Sequence, residues 1–126
     1  MLEIAFSSTR NGVKTCVLTG RLDADSYEEL DAELEPVLAS GVTRLVFDLT
    51  RLEYISSAGI RCFVKAQKAL KGAGGETSIL NPQPQIQKVF DVVKAIPARN
   101  VFTSVAELDA YLDAIQKKTL RDGDDR

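Results

Sequence analysis

Two adjacent serines, Ser56 and Ser57, occupy the position in this chain that best suits chemistry on a hydroxyl group. They come after an almost continuously apolar run at 45–49, which is typical of a buried strand, and before residues whose apolar spacing predicts a helix. The first turn of a helix has unpaired backbone N–H groups and the positive end of the helix dipole. This position therefore favours a phosphate, either bound there or attached covalently to a serine.

The serine pair could also be a structural helix cap or a catalytic nucleophile. Serine is a preferred N-cap residue, so pattern alone favours a purely structural role at the start of the helix. A serine nucleophile needs a base, and the chain contains no histidine, which excludes Ser-His-Asp and Cys-His arrangements within it. Only a lysine or a carboxylate within hydrogen-bond reach of Ser57 would support catalysis. We therefore predict no catalytic residue and no enzyme activity.

The two cysteines, Cys16 and Cys62, stand far apart in the sequence without the spacing of a metal site. In a reducing compartment they are most simply buried thiols, and a disulfide requires that the fold bring them together. With no histidine either, the sequence predicts neither a metal site nor a cofactor.

Length and composition place the chain among ordinary globular domains. It has 126 residues, of which 44% are hydrophobic and 27% charged, with a formal net charge of −2. The acidic balance argues against a nucleic-acid partner, which normally requires a basic face. There is no apolar stretch long enough to span a bilayer, and residues 1–6 lack the features of a signal peptide. We expect a cytoplasmic protein without membrane insertion.

The order of elements predicts an α/β fold. Alternating residues at 2–6 and 13–19, joined by the Asn11-Gly12 turn, indicate an opening β-hairpin. Strands and helices then alternate, which predicts a mostly parallel sheet with about four helices packed against it. Further strands are predicted at 45–49, 77–80 and 101–102, and helical faces at 30–38, 60–70, 86–93 and 108–115. We expect one domain over 1–118 and a disordered tail at 119–126.

Two segments make this chain resemble a STAS domain of the anti-sigma factor antagonist group. One is Leu18-Thr19-Gly20-Arg21-Leu22-Asp23, and the other runs from Val46 to Leu49 and continues through Tyr54-Ile55-Ser56-Ser57-Ala58-Gly59-Ile60. The resemblance extends over roughly residues 2–117 and implies a STAS-like fold. It also implies a partner-switching protein that binds an anti-sigma factor serine kinase. In that group the kinase phosphorylates the STAS domain near the start of its second helix, which releases it, and a serine phosphatase restores binding.

The serine motif departs from the commonest version in that group, Asp-Ser-Ser-Gly, in which the second serine is phosphorylated. Aligned on Gly59, Ser56 stands at the acidic position and Ala58 at the usual acceptor position. The resemblance therefore moves the predicted phosphorylation site to Ser57, with Ser56 as the second choice.

The resemblance further implies a partner-binding surface beside the serine turn. Pattern alone favours plainer roles for two of its residues: Asp23 as a turn residue next to a helix capped by Asp25 or Ser26, and Arg61 as an ordinary exposed helix residue. The predicted surface comprises Gly20, Arg21, Asp23, Ser56, Ser57, Ala58, Gly59 and Arg61.

A second function is consistent with the same fold. A STAS domain also occurs as the cytoplasmic subunit of a lipid or anion transport complex, where binding is constitutive and needs no phosphorylation. A basic or apolar patch away from the serine turn would favour that function.

Overall fold

The computed structural model describes residues 1–93 and 100–102, together with 106, 107, 109, 110, 112 and 114. Five strands form one sheet, in which they are arranged in the same order as in the chain. They are β1 (Leu2–Phe6), β2 (Val13–Leu22), β3 (Arg44–Ile55), β4 (Glu76–Leu80) and β5 (Val101–Phe102). β1 pairs antiparallel with β2, and every other neighbouring pair is parallel. The predicted hairpin and mostly parallel sheet are thus confirmed.

Three helices link the parallel strands: α1 (Tyr27–Leu38), α2 (Ser57–Gly72) and α3 (Pro84–Val93). The fourth predicted helix is only partly described, since helical residues at 106, 107, 109, 110, 112 and 114 are separated by gaps. The predicted tail at 119–126 lies outside the described residues. No helix within the described residues combines the length and apolar character that crossing a bilayer requires.

The three helices pack on one face of the sheet and enclose the main core. The predicted apolar face of α1 is buried through Leu30, Leu34 and Val37. Phe63 of α2 lies edge-on between Phe47 of β3, at 4.5 Å between ring centres, and Phe90 of α3, at 5.4 Å. Such edge-to-face contacts add to the burial of apolar surface and fix the side chains in one arrangement.

The opposite face of the sheet carries a smaller apolar cluster of Val46, Leu80 and Phe102, with Val13 and Leu112 packed against it. The central strand β3 is therefore buried on both sides at its start, which explains its continuous apolar run.

Two strand ends differ from the prediction. β2 continues to Leu22, where a loop was expected from Gly20, and β3 continues to Ile55 instead of ending near residue 49. The cause lies in two register shifts in the β2–β3 pairing, between Val17 and Thr19 and between Gly20 and Arg21. Because such bulges break the alternation of apolar and polar residues, sequence periodicity does not reveal the strand. β4 pairs with β3 only as far as residue 48, so the ends of β2 and β3 extend together beyond the sheet.

Candidate functional site

The turn between β3 and α2 is organised by Ser56. Its backbone is extended, and its hydroxyl oxygen accepts a hydrogen bond from the Gly59 N–H at 3.2 Å, so Ser56 is the N-cap of α2. Its own N–H donates to the carbonyl of Leu22 at 2.9 Å, which ties the turn to the end of β2. The structural interpretation of this serine is confirmed, and its side chain is only partly exposed.

Ser57 differs from its neighbour in both exposure and bonding. It is the first residue of α2, its side chain is exposed, and its hydroxyl makes no hydrogen bond to any of the described residues. The first turn of α2 contains no acidic residue. A negative group on this hydroxyl would therefore meet the positive end of the helix dipole without repulsion from that turn.

Ala58 and Gly59 are both buried, so neither offers an exposed side chain, and their part in the turn is to position the serines. A Cβ atom on Gly59 would lie 2.7 Å from Cγ of Leu22 and 3.0 Å from Cγ1 of Ile55. Glycine is therefore required for α2 to start this close to the ends of β2 and β3.

Gly20 holds the predicted partner loop against the N-terminal strand. Its φ is +103°, and a Cβ atom there would lie only 2.3 Å from the carbonyl oxygen of Met1. The N–H of the next residue, Arg21, donates to that same oxygen at 3.2 Å. The close approach of the two chains thus depends on glycine, and it places the first residue beside the site.

Arg21 has two partners at the surface. Its guanidinium carbon lies 4.3 Å from the ring centre of Tyr54, and its Nε is 3.8 Å from Oδ2 of Asp23. Tyr54 is 42% exposed and was not among the residues predicted for the site. The sequence does show an aromatic residue two positions before the serine pair, which could have suggested a place for it in the site. Its contact with Arg21, however, depends on a strand register that no sequence pattern reveals.

Asp23 forms an ordered turn, as pattern alone suggested. Its Oδ1 accepts hydrogen bonds from the Asp25 N–H at 3.0 Å and from the Ser26 hydroxyl at 3.1 Å. The Asp25 N–H is the main cause of a lowered pKa for the Asp23 carboxyl. Ser26 takes the N-cap position of α1, but its side chain bonds to the turn and not to the helix.

Arg61 is exposed one helical turn after Ser57, on the same side of α2. A phosphate on Ser57 would therefore have a guanidinium group within reach on its own helix. Among the described residues, no lysine or carboxylate bonds to the Ser57 hydroxyl. These residues also contain no cluster of cysteine, aspartate and glutamate side chains that could hold a metal ion. The site offers a hydroxyl that no described residue bonds, two guanidinium groups and an aromatic ring, a set suited to binding.

Comparison with known proteins identifies the fold. The family model described as the STAS domain matches residues 7–108. This chain belongs to the STAS domain family. Over 82 residues, this chain is 35% identical to BtrV of Bordetella bronchiseptica, which carries the name of an anti-sigma factor antagonist. The match covers 65% of this chain and 71% of BtrV.

Solved structures share the same fold. The anti-sigma factor antagonist SpoIIAA in its unphosphorylated form matches with a TM-score of 0.77 at 20% identity, covering 89% of this chain and 97% of SpoIIAA. Its phosphorylated form, from Bacillus, has a TM-score of 0.71 at 20% identity, with 87% and 99% covered. The murine anion transporter Slc26a9 matches at 0.68 and 18% identity, covering 86% of this chain and 19% of the transporter.

Proposed function

We propose that this STAS protein is a cytoplasmic anti-sigma factor antagonist, a regulatory binding protein without enzyme activity. It binds an anti-sigma factor serine kinase and is released when that kinase phosphorylates Ser57. A serine phosphatase then restores binding. The observation that carries this proposal is the exposed Ser57 hydroxyl at the start of α2, which bonds to none of the described residues, and the name of its relative BtrV supports it.

The choice of Ser57 over Ser56 follows from their hydrogen bonds. The Ser56 hydroxyl caps α2, so a phosphate there would replace an existing bond and move a partly buried side chain. The Ser57 hydroxyl can receive a phosphate without breaking a bond to any described residue. Ser56 is therefore the second candidate.

Phosphorylation would act on the interface and not on the fold. A phosphoserine carries about −1.5 to −2 charges at pH 7 and is strongly hydrated. At the start of α2 the helix dipole and Arg61 favour this charge, so the domain remains folded. At the interface with a partner, the phosphate takes up space and must lose its bound water. Where the facing surface of the partner is acidic or apolar, this favours dissociation of the complex.

The partner surface in this proposal surrounds Ser57. Arg21, Tyr54 and Arg61 provide its exposed side chains, and Asp23 orders the loop that holds Arg21. Gly20, Ser56, Ala58 and Gly59 set the backbone on which these side chains stand.

Co-expression with candidate serine kinases, followed by intact mass and phosphosite mapping, tests the proposal. We expect one phosphate per chain, on Ser57, and none on the Ser57→Ala variant. Ser57→Asp should stay folded but bind the kinase more weakly, whereas Ser57→Ala should bind persistently. The proposal is wrong if neither Ser56 nor Ser57 is modified by any kinase that binds the protein, or if both Ser57 variants bind like wild type.

The alternative function, as a STAS subunit of a lipid or anion transport complex, has the shared fold of Slc26a9 in its favour. It predicts stable binding to a transport ATPase in the absence of any kinase. Pull-down of the unmodified protein and of Ser57→Asp distinguishes the two functions, because only the kinase complex should respond to the added charge.

A further inference from the structure

The two helices that lie side by side on the sheet carry opposite charges. α1 contains five acidic residues and no basic one, whereas α2 contains four basic residues and no acidic one. The acidic residues are Glu28, Glu29, Asp31, Glu33 and Glu35, and the basic residues are Arg61, Lys65, Lys68 and Lys71.

The geometry of the fold places these charges on one outer surface. α1 connects β2 to β3, and α2 connects β3 to β4. Because both strand pairs are parallel, the two helices run parallel to each other. They are in direct contact, with Sγ of Cys62 3.5 Å from the carbonyl oxygen of Tyr27. With their apolar sides buried, each helix carries three charged residues at helical spacing on its outer side, and all of them are exposed except the half-buried Asp31. We call the resulting surface the α1–α2 face: Glu28, Asp31, Glu35, Arg61, Lys65 and Lys68.

Asp31 interacts with the Cys62 thiol of α2, but no ion pair between described residues joins the acidic charges of α1 to the basic charges of α2. The ion pairs among these residues are Arg21 with Asp23 and Arg44 with Glu76. Like charges also stand four residues apart within each helix, an arrangement that is unfavourable on its own. Opposite charges supplied from outside the domain would relieve it.

We propose that the α1–α2 face is a docking surface for a second copy of this chain. A half-turn about an axis parallel to the helices places the acidic helix of each copy on the basic helix of the other, so the same attraction occurs twice. A surface whose charges are all of one sign repels a second copy of itself and needs a different partner. A surface that carries negative and positive charges side by side can be complementary to a second copy of itself. Leu38, which is half-buried at the groove between the helices, would be covered by this contact. The proposal does not depend on phosphorylation of Ser57.

The size of the face sets the strength of the dimer. Helices of 12 and 16 residues give a face roughly 20 Å long and about 20 Å wide. That is about 400 Å² per copy, half of what a stable interface buries on each side. The dimer is therefore weak, and because the charges are exposed it should dissociate as salt is raised.

Sedimentation velocity over a concentration series tests this at about 20 mM and 500 mM salt, where screening differs several-fold in range. We expect wild-type protein to self-associate at low salt, with an association constant at least tenfold smaller at high salt. Two charge-reversed variants leave Arg61 intact: Asp31→Lys with Glu35→Lys, and Lys65→Glu with Lys68→Glu. Each alone should be monomeric, and an equimolar mixture of the two should form a heterodimer. Glu53→Lys, an exposed reversal on β3, is the control and should associate like wild type.

Circular dichroism establishes that each variant is folded, and the wild-type salt series needs no variant at all. A wild-type protein that stays monomeric at low salt and millimolar concentration overturns the proposal. So does a mixture of the two variants that fails to associate. A lowered melting temperature in both variants without any change in association would assign the charges to α1–α2 packing within one domain, and would also overturn it.

Discussion

The guanidinium group of Arg21 covers the ring of Tyr54 at 4.3 Å, joining the end of β2 to the end of β3 at the surface. The two residues are register partners after the second shift in the strand pairing. Arginine and tyrosine are among the residue types that contribute most to binding at protein interfaces. Since Tyr54 lies two residues before Ser56 and Arg21 is its register partner, we infer that the pair forms the anchor of the proposed partner surface.

Removing the Tyr54 ring should weaken partner binding without unfolding the domain. We expect Tyr54→Ala to lose at least tenfold in affinity for the kinase recovered by co-expression, about 1.4 kcal/mol or more. An exposed cation–π contact contributes only about 0.5–1 kcal/mol, so the melting temperature should change little. Calorimetric titration measures the affinity. Tyr54→Phe keeps the ring and should bind within a few-fold of wild type; equal binding by Tyr54→Ala would remove this pair from the interface.

The two serines should differ in their effect on stability. Ser56→Ala removes the N-cap of α2 and should lower the free energy of unfolding by about 1 kcal/mol. For a domain of this size that corresponds to a melting temperature roughly 4 °C lower. Ser57→Ala is the matched control and should stay within about 0.5 kcal/mol of wild type. Urea denaturation measures both, and an equal loss in the two variants would contradict the assigned cap.

Two glycines of α2 provide a second matched pair. Gly59→Ala brings a methyl group to 2.7 Å from Cγ of Leu22, and overpacking of this kind costs about 1–3 kcal/mol. Gly72→Ala meets nothing within 4 Å and should be neutral or stabilising by about 0.5 kcal/mol. Thermal denaturation distinguishes the two. A Gly59→Ala variant as stable as wild type would show that the start of α2 can move away from β2.

The buried thiols give a pH dependence. Burial raises the pKa of both Cys16 and Cys62 to about 12, and neither has a disulfide partner. Because the thiols titrate near 9 when unfolded, their contribution to stability is present below that pH and declines as the pH rises toward 12. At pH 10 each thiol should account for about 1–1.5 kcal/mol of lost stability relative to pH 8.

Two measurements check this. Ellman's reagent at pH 8 should leave the native protein unmodified over minutes and label two thiols per chain in guanidinium. The Cys16→Ala, Cys62→Ala double variant should lose less stability than wild type between pH 8 and pH 10, since tyrosine and lysine titration is common to both. Rapid labelling of the native protein would show that a thiol is accessible.

Sequence patterns predicted the parts of the fold that follow a simple period. The apolar spacing of α1 and the unbroken run at the start of β3 each reflect burial on one or both sides, so their element types were correct. The far end of β3 was missed because Leu52 and Ile55 are its buried residues there, and that spacing matches no strand period. Two bulges allow it, and bulges are set by pairing with β2.

The same limit applies to the site. Ser56 and Ser57 were identified because serine before a helical pattern has a local meaning, and the structure then distinguished the cap from the exposed hydroxyl. Tyr54 was not predicted, because its exposure and its contact with Arg21 depend on how two strands align far from each other in sequence. The burial of Gly59 against Leu22 likewise depends on tertiary packing.

The hydrogen bond from the Arg21 N–H to the Met1 carbonyl has a practical consequence for labelling. It fixes the first residue of the chain next to the loop that presents Arg21 and Asp23. A fluorophore attached at this residue would report partner docking and release through its own change in environment. If the proposed kinase binds this surface, a bulky affinity tag fused at Met1 would obstruct it, and a pull-down with that tag would give a false negative.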